Sequence, residues 1–480
     1  MKNLTRKLLV LGAAALLVTG SQGALAAEGE PAQPQIAVQL NGEDLVFPDA
    51  VPQVKDSRTF LPVRAVFEAM GAKVTYEGNV ITAIRDGRTV TMTIGSPEVT
   101  VTEGETVTPV AMDVAPYVDN TTWRTYVPVR FAAEAFGCSV GWDQEAYTAV
   151  IVDTDKVADE VLAGKRYTYL EKLAAYSGKY NEGIWNSQVA MSGKMTIADA
   201  DYTLDIPMAV KASGITQDGA ALEMDMNMTL DMTGLLAILE QDAAQAGVPD
   251  GGASEDEVAL IQSLATEGIG IQMRGDLREG SLAFVMSGPA VESLGIPAGL
   301  WLTMDLGEMY GQLGMDFDAL MAVSRQFDYP ALIRQTLRAM PVDSAGSGYQ
   351  DVLITGQMLA SLFADDSFVK SGNDYISSYS VEEGGVAAEI SLTLAMKGDK
   401  VTAYAIHMGI RGGEDPSAMS MTLDMAVDAK DKVSGGMTMD IGGAITAEFN
   451  ITGGYTKGTK APQTQPPEGA VTMSFTELAG

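Results

Sequence analysis

With 480 residues, 46% of them apolar and 20% charged, the chain is long enough for two or three domains and rich enough in apolar residues to build a core, which excludes a wholly disordered protein. Sixty-three acidic residues against 31 basic ones give a formal net charge of −32, so the surface repels phosphate backbones and anionic lipid headgroups and no nucleic-acid partner is expected. A single cysteine, Cys138, excludes an intramolecular disulfide, and its neighbours Phe136, Val140 and Trp142 predict a buried small hydrophobe.

Residues 1–26 read as a secretory signal: Lys2, Arg6 and Lys7 precede the apolar run from Leu8 to Val18, and Ala24-Leu25-Ala26 forms a small-residue cleavage site. The run is too short to span a bilayer, and no cysteine follows it for lipid attachment. No later apolar stretch is long enough to cross a membrane, so no transmembrane segment is expected in the mature chain. The expected location is secreted or associated with the cell wall.

Between residues 36 and 153 the chain repeats itself. Arg58-Thr59-Phe60-Leu61-Pro62-Val63-Arg64 returns 66 positions later as Arg124-Thr125-Tyr126-Val127-Pro128-Val129-Arg130, and the match runs on through Glu68/Glu134, Gly71/Gly137 and Tyr76/Trp142. Two copies are too few for a solenoid and predict one compact duplicated unit. In each copy the residues before proline favour a strand, and the proline is expected at the first helical position. Val63, Val66, Phe67 and Met70 then mark one face of a short helix, as do Val129, Ala132, Ala133 and Phe136. Gly71 and Gly137 stop these helices, and strands follow at 74–76, 80–84, 140–142 and 149–152. Asn41-Gly42 predicts a hairpin between 36–40 and 45–47, with a counterpart turning at Glu103-Gly104. Arg64 with Glu68, and Arg130 with Glu134, stand four apart on the helices and read as structural ion pairs of the repeat.

This tandem motif resembles the copper amine oxidase N-terminal-like domain, or stalk domain, of secreted Firmicutes proteins. The resemblance implies an exported Gram-positive protein with an accessory envelope module. It does not imply the oxidase activity, which needs three imidazoles for copper, whereas this chain holds one histidine, His407.

Residues 154–180 read as a helical linker, with Val157, Val161, Leu162, Leu170 and Leu173 in helical spacing. From 181 to 457 strict alternation takes over. Leu222, Met224, Met226, Met228 and Leu230 alternate with Glu223, Asp225, Asn227 and Thr229, and similar runs recur to Ile451, roughly ten strands in all. One apolar and one polar face per strand predicts an antiparallel sheet. Helices are expected at 235–246, 255–266, 316–326, 330–340 and 356–363. The fold class that follows is α+β: a duplicated small β-α-β module, then a large curved antiparallel sheet, half-barrel-like, with helices on its concave face. That pattern resembles the LolA-type half-barrel of bacterial envelope proteins. Residues 458–480, with Pro462, Pro466 and Pro467, read as a flexible tail in which Val471 to Phe475 favour a short strand.

The chain has 27 methionines, most of those beyond residue 190 on the apolar strand faces. Methionine adapts to varied apolar shapes, so Met191, Met195, Met208, Met224, Met226, Met228, Met421 and Met425 are the candidate lining of a site for a lipid or other hydrophobic ligand. No nucleophile-base pair, phosphate loop or metal motif occurs; no enzymatic activity, cofactor or metal is expected. The acidic pairs Asp199/Asp201 and Asp428/Asp431 read as solvated surface, and His407 falls out of phase with the apolar face. The expected function is therefore a hydrophobic-ligand carrier of the envelope. The alternative is a structural or adhesive surface protein that meets a partner, a cell-wall component or Ca²⁺ through its acidic face.

Overall fold

The computed structural model describes residues 36–55, 58–199, 202–245, 252–312, 317, 321, 328–383, 386–412 and 419–475. The signal segment at 1–26 lies outside the described residues, as do Asp201 and most of the helix expected over 316–326.

In the duplicated module the two copies exchange parts. Arg58–Pro62 pairs antiparallel with Thr125–Pro128, so the repeated motif meets its own copy, with Leu61 opposite Val127. Helices α1 (Val63–Ala69) and α2 (Val129–Glu134) follow. Pro62 and Pro128 stand one residue earlier than expected, as extended N-cap residues with ψ of 118° and 132°. The reason is the pairing itself: Pro62 faces Tyr126 and Pro128 faces Phe60, which keeps both residues extended to the strand's end. Gly71 ends α1 at φ 87°, as a helix stop requires.

Ala37–Leu40 leaves the first copy to pair in parallel with Thr148–Val152 of the second. Asn41 and Gly42 turn this strand with φ of 52° and 78°. The return strand is Glu43–Asp44 and not 45–47, because Leu45 and Phe47 pack onto the module core instead. Val38, Leu61, Phe67, Ile81, Val127, Phe136 and Ile151 share that single core. The exchange is mirrored at the surface, where Arg124 reaches Asp49 at 2.5 Å and Arg58 reaches Asp113 at 2.6 Å.

The linker forms two helices, α3 (Thr154–Leu162) and α4 (Thr168–Ser177), parted at Gly164 with φ 73°. Asp153 caps α3 by accepting from the Lys156 amide at 3.2 Å. Neither helix is a free spacer. Val157, Val161, Leu170 and Leu173 are buried in one core with Val150 and Val152 of the module and Leu392 and Leu394 of the large sheet.

The large sheet has fourteen strands, here β1 to β14 in chain order. They are β1 (Ile184–Ala198), β2 (Thr203–Gln217), β3 (Ala221–Leu230), β4 (Ile269–Asp276), β5 (Ser281–Ser287), β6 (Leu300–Asp305) and β7 (Phe368–Ser371). There follow β8 (Asp374–Glu383), β9 (Val386–Lys397), β10 (Lys400–Arg411), β11 (Met419–Val427), β12 (Lys432–Ile441), β13 (Ile445–Lys457) and β14 (Val471–Ser474). Their spatial order is β7-β8-β9-β10-β11-β12-β13-β1-β2-β3-β4-β5-β6-β14. Two meanders thus meet where β13 pairs with β1, and every pairing is antiparallel except that of β6 with β14.

Helices α5 (Thr233–Gln245) and α6 (Glu255–Thr266) join β3 to β4, and α7 (Pro289–Ser293) joins β5 to β6. After β6 come α8 (Leu306–Gln312), α9 (Tyr329–Ala339) and α10 (Gly348–Leu362), the last two turns longer at its start than the 356–363 expected. The architecture is α+β, with a curved antiparallel sheet carrying helices on its apolar side. α9 and the loop after it also receive the module: Ser139 donates to the Arg338 carbonyl at 3.2 Å and the Ala345 amide donates to Asp143 at 2.7 Å, while Arg338 bonds Asp155 of α3 at 2.7 Å. Among the described residues no helix is long and apolar enough to cross a membrane.

Candidate functional site

Residues directly opposite in an antiparallel sheet share a face, as do residues two apart along a strand. From Met191 on β1 one row runs through Val210 and Met228 to Ile269. In the other direction it runs through Ile451 and Gly435 to Met425, and then to Ile406 and Leu392. Met195 heads a parallel row through Ala447 and Met439 to Met421. Met208 lies beside Gly193, and Met224 and Met226 belong to the same face of β3 as Met228. All eight candidate methionines therefore line one side of the sheet. Met273, Met437 and Met439 stand on it too, and sequence reasoning left them out although each sits in an alternating run.

The helices cover this apolar side unevenly. Leu392 and Leu394 are buried under α4, α9 and α10 with Tyr167, Tyr329, Ile333 and Leu337, and Tyr404 and Ile406 pack, half-buried, against that core. At the other wing α5 lies against β2, α6 against β3, and α7 against β4 and β5. Among the described residues no helix packs broadly on β1, β11, β12 or β13. The exposures follow that layout: each of the eight methionines is half-buried, and none belongs to a closed core. The result is a thioether-lined apolar strip with packed helices at its flanks. Such a strip can hold an apolar molecule by contact and desolvation.

The opposite face is polar, and it bears a feature that sequence reasoning missed. Glu223 and Arg274, both buried, lie 3.6 Å apart, with the guanidinium 5.8 Å from the Trp301 ring centre. Residues 458–470 cross this face: the Gln463 amide donates to Glu223 at 2.8 Å and Lys460 stands 3.7 Å from it. The segment then adds β14 to the sheet edge, in keeping with the strand expected at 471–475. A groove of about 750 Å³ opens beside it, lined by Gln188, Ser213, Asp225, Lys432, Thr452 and Lys460. The alternation signalled that Glu223 sits on the polar face but not that a tail 240 residues on would cover it.

Most of the remaining candidates occupy surface positions, but Asp431, expected as solvated surface, is largely covered, because the Tyr176 and Tyr180 hydroxyls donate to it at 3.2 and 2.7 Å and Lys179 pairs with it. Arg64 lies 3.6 Å from Glu68 and Arg130 lies 3.9 Å from Glu134, all four side chains more than half exposed. Burial raises the Glu134 carboxyl above its usual range, opposed by Arg130. His407 projects from the polar face of β10, 2.7 Å from Asp424 and 3.3 Å from Glu389, and the hydrogen bond to Asp424 leads in raising its pKa. Asp428 accepts from the amides of Lys430 and Lys432, each within 2.9 Å, so it shapes a turn. Burial pushes the Cys138 thiol up to about 12, as its apolar setting predicts. Among the described residues no group of three or more His, Cys, Asp or Glu side chains is arranged to hold a metal.

No curated protein matches the chain. Among solved structures it is similar to Neisserial surface protein A (NspA) at 6% identity, over 58% of this chain and 98% of that one, with a TM-score of 0.14. A DUF1329 family protein from Desulfovibrio piger matches at 9% identity over 61% of this chain and 95% of that one, with a TM-score of 0.17. Scores this low do not define the fold. The family comparison is specific: residues 39–151, and with them both copies of the repeated motif, match the copper amine oxidase N-terminal domain.

Proposed function

We propose that this is a non-enzymatic, exported envelope protein whose large sheet holds a lipid-like or other hydrophobic ligand against its methionine-lined face. One observation carries the reading. Eight methionines from four strands stand on a single face, half-buried; those on β1 and β11 lie where no described helix packs broadly, and those on β2 and β3 lie on strands flanked by α5 and α6. Wide exposed apolar surface is costly in water, and proteins retain it where something binds. Flexible thioethers suit a site that accepts differing apolar shapes, whereas a rigid core is better specified by branched side chains. The signal-like segment at 1–26 supports export, and the duplicated module, docked through α9 and the loop after it, acts as the accessory contact with the wall.

Native mass spectrometry of gently purified protein, followed by titration of the delipidated chain with the neutral probe N-phenyl-1-naphthylamine, tests the proposal. A co-purifying lipid mass or saturable probe fluorescence is expected, and replacing Met191, Met226 and Met425 together with glutamine should abolish it. A chain that arrives empty and leaves the probe dark removes the carrier reading.

A further inference from the structure

A second cleft lies in the duplicated module, about 540 Å³ in volume, where the start of α1 meets the loop before the second copy's strand. This falls within the range of roughly 300–1,000 Å³ usual for small-ligand sites. Trp123 stands at its mouth, 73% exposed, with φ at 55°, a backbone region that bulky residues enter only when their surroundings hold them there. The surroundings do hold it. Asp119 accepts from the Thr121 and Thr122 amides at 3.0 and 2.7 Å, its own carbonyl accepts from the Trp123 amide at 2.8 Å, and the Arg124 carbonyl accepts from the Asp119 amide at 2.9 Å.

The repeat itself shows that the fold does not require this indole. In the sequence, the residue 66 positions earlier is Ser57. The partner ring differs as well: Tyr76 faces the cleft, while its counterpart Trp142 is engaged edge-on with Tyr147 at 5.1 Å and donates to Gln144 at 3.1 Å. A large aromatic ring fixed at φ 55° and left 73% exposed, at a position where the repeat carries serine, is placed for a ligand.

The rim states the ligand's chemistry. Arg64 lies 3.6 Å from Glu68 and 5.4 Å from the Tyr76 ring centre, and Arg124 bonds Asp49 at 2.5 Å. The two guanidinium groups and two carboxylates leave the cleft without net charge, so neither a polycation nor a polyanion is favoured. The carboxylates accept and the guanidinium groups donate, and a sugar hydroxyl does both at once. A proline-rich peptide, the other common occupant of aromatic grooves, offers mainly acceptors and leaves the carboxylates unmet. We propose that this cleft binds a short neutral glycan, one pyranose ring stacked on Trp123 and its hydroxyls bridging the Arg64–Glu68 and Arg124–Asp49 pairs.

The full chain is titrated with β-1,4-linked N-acetylglucosamine tetramer and with cellotetraose, by calorimetry and tryptophan fluorescence. Saturable binding of at least one is expected. Trp123→Gly should weaken it about tenfold or more, the loss usual for a truncated aromatic anchor, while thermal unfolding stays level or rises because glycine accepts φ 55° freely. Glu68→Gln, a substitution at an exposed position that preserves shape, should also weaken binding. The proposal is overturned if neither sugar binds at millimolar concentration, if Trp123→Gly binds as tightly as the parent chain, or if a proline-rich decapeptide binds and the sugars do not.

Discussion

In the duplicated module Met70, Met92 and Met112 are shut inside a continuous core, whereas the eight candidate methionines of the large sheet stay half-buried on one face. The same side chain thus serves two ends. The module wraps its strands round a small volume and exchanges Ala37–Leu40 between copies, so the residues of its core, Met70, Met92 and Met112 among them, are closed off from water. The sheet spreads fourteen strands in one layer, and among the described residues no helix packs broadly on its middle strands β1, β11, β12 and β13. Enclosure yields stability; the uncovered strip yields a surface that something else can complete.

Five measurements break or sharpen that contrast. The largest effect is expected at the joint between the regions, where buried Arg85 pairs with buried Asp153 directly below α3. Arg85→Ala removes the buried partner of Asp153, leaving it only the Lys156 amide at 3.2 Å and the half-exposed Lys156 ammonium at 3.7 Å, and should cost about 3–5 kcal/mol in urea unfolding. Next, Met92→Ala opens a cavity in the closed core and should cost about 2–5 kcal/mol. Met226→Ala on the open strip should cost less than about 1 kcal/mol, because water or ligand already reaches that side chain. Equal costs at Met92 and Met226 would show the strip to be core after all.

Thiol reactivity offers a finer check. With its pKa pushed up to about 12 by burial, Cys138 should resist Ellman's reagent at pH 8 in the folded chain and react at once in urea. The smallest effect belongs to His407, whose pKa is raised by Asp424 first and Glu389 second. Its contribution is complete below the unfolded histidine pKa near 6.5 and disappears as the pH rises through the higher folded value. His407→Gln should therefore lower Tm slightly at pH 5.5 and leave it unchanged at pH 9. An equal loss at both pH values would show that the ion pairs play no part.

Much of this was legible in the chain itself. Alternation placed all eight methionines on one face, and the repeated motif marked both helices of the module. The expected strand count of roughly ten fell short of fourteen for a particular reason. β8 reads Tyr375-Ile376-Ser377-Ser378-Tyr379-Ser380, where serines blur the pattern. Ser377 nonetheless occupies an apolar-side position, opposite Leu392, because its hydroxyl donates to the Leu362 carbonyl at the end of α10. Glu223 was readable as a polar-face residue, but its burial under Gln463 and Lys460 depends on where a distant segment lands.

The sequence by itself determined which elements form and which side of each is apolar, since both follow from local sterics and the two-residue period of a strand. Tertiary structure decided what covers each apolar side: the exchanged strand that closes the module, the described helices that pack on the flanks of the sheet, and the half-exposed strip between them. Coverage depends on contacts between residues hundreds of positions apart, and no local pattern encodes which of two equally apolar faces will meet a partner and which will meet water.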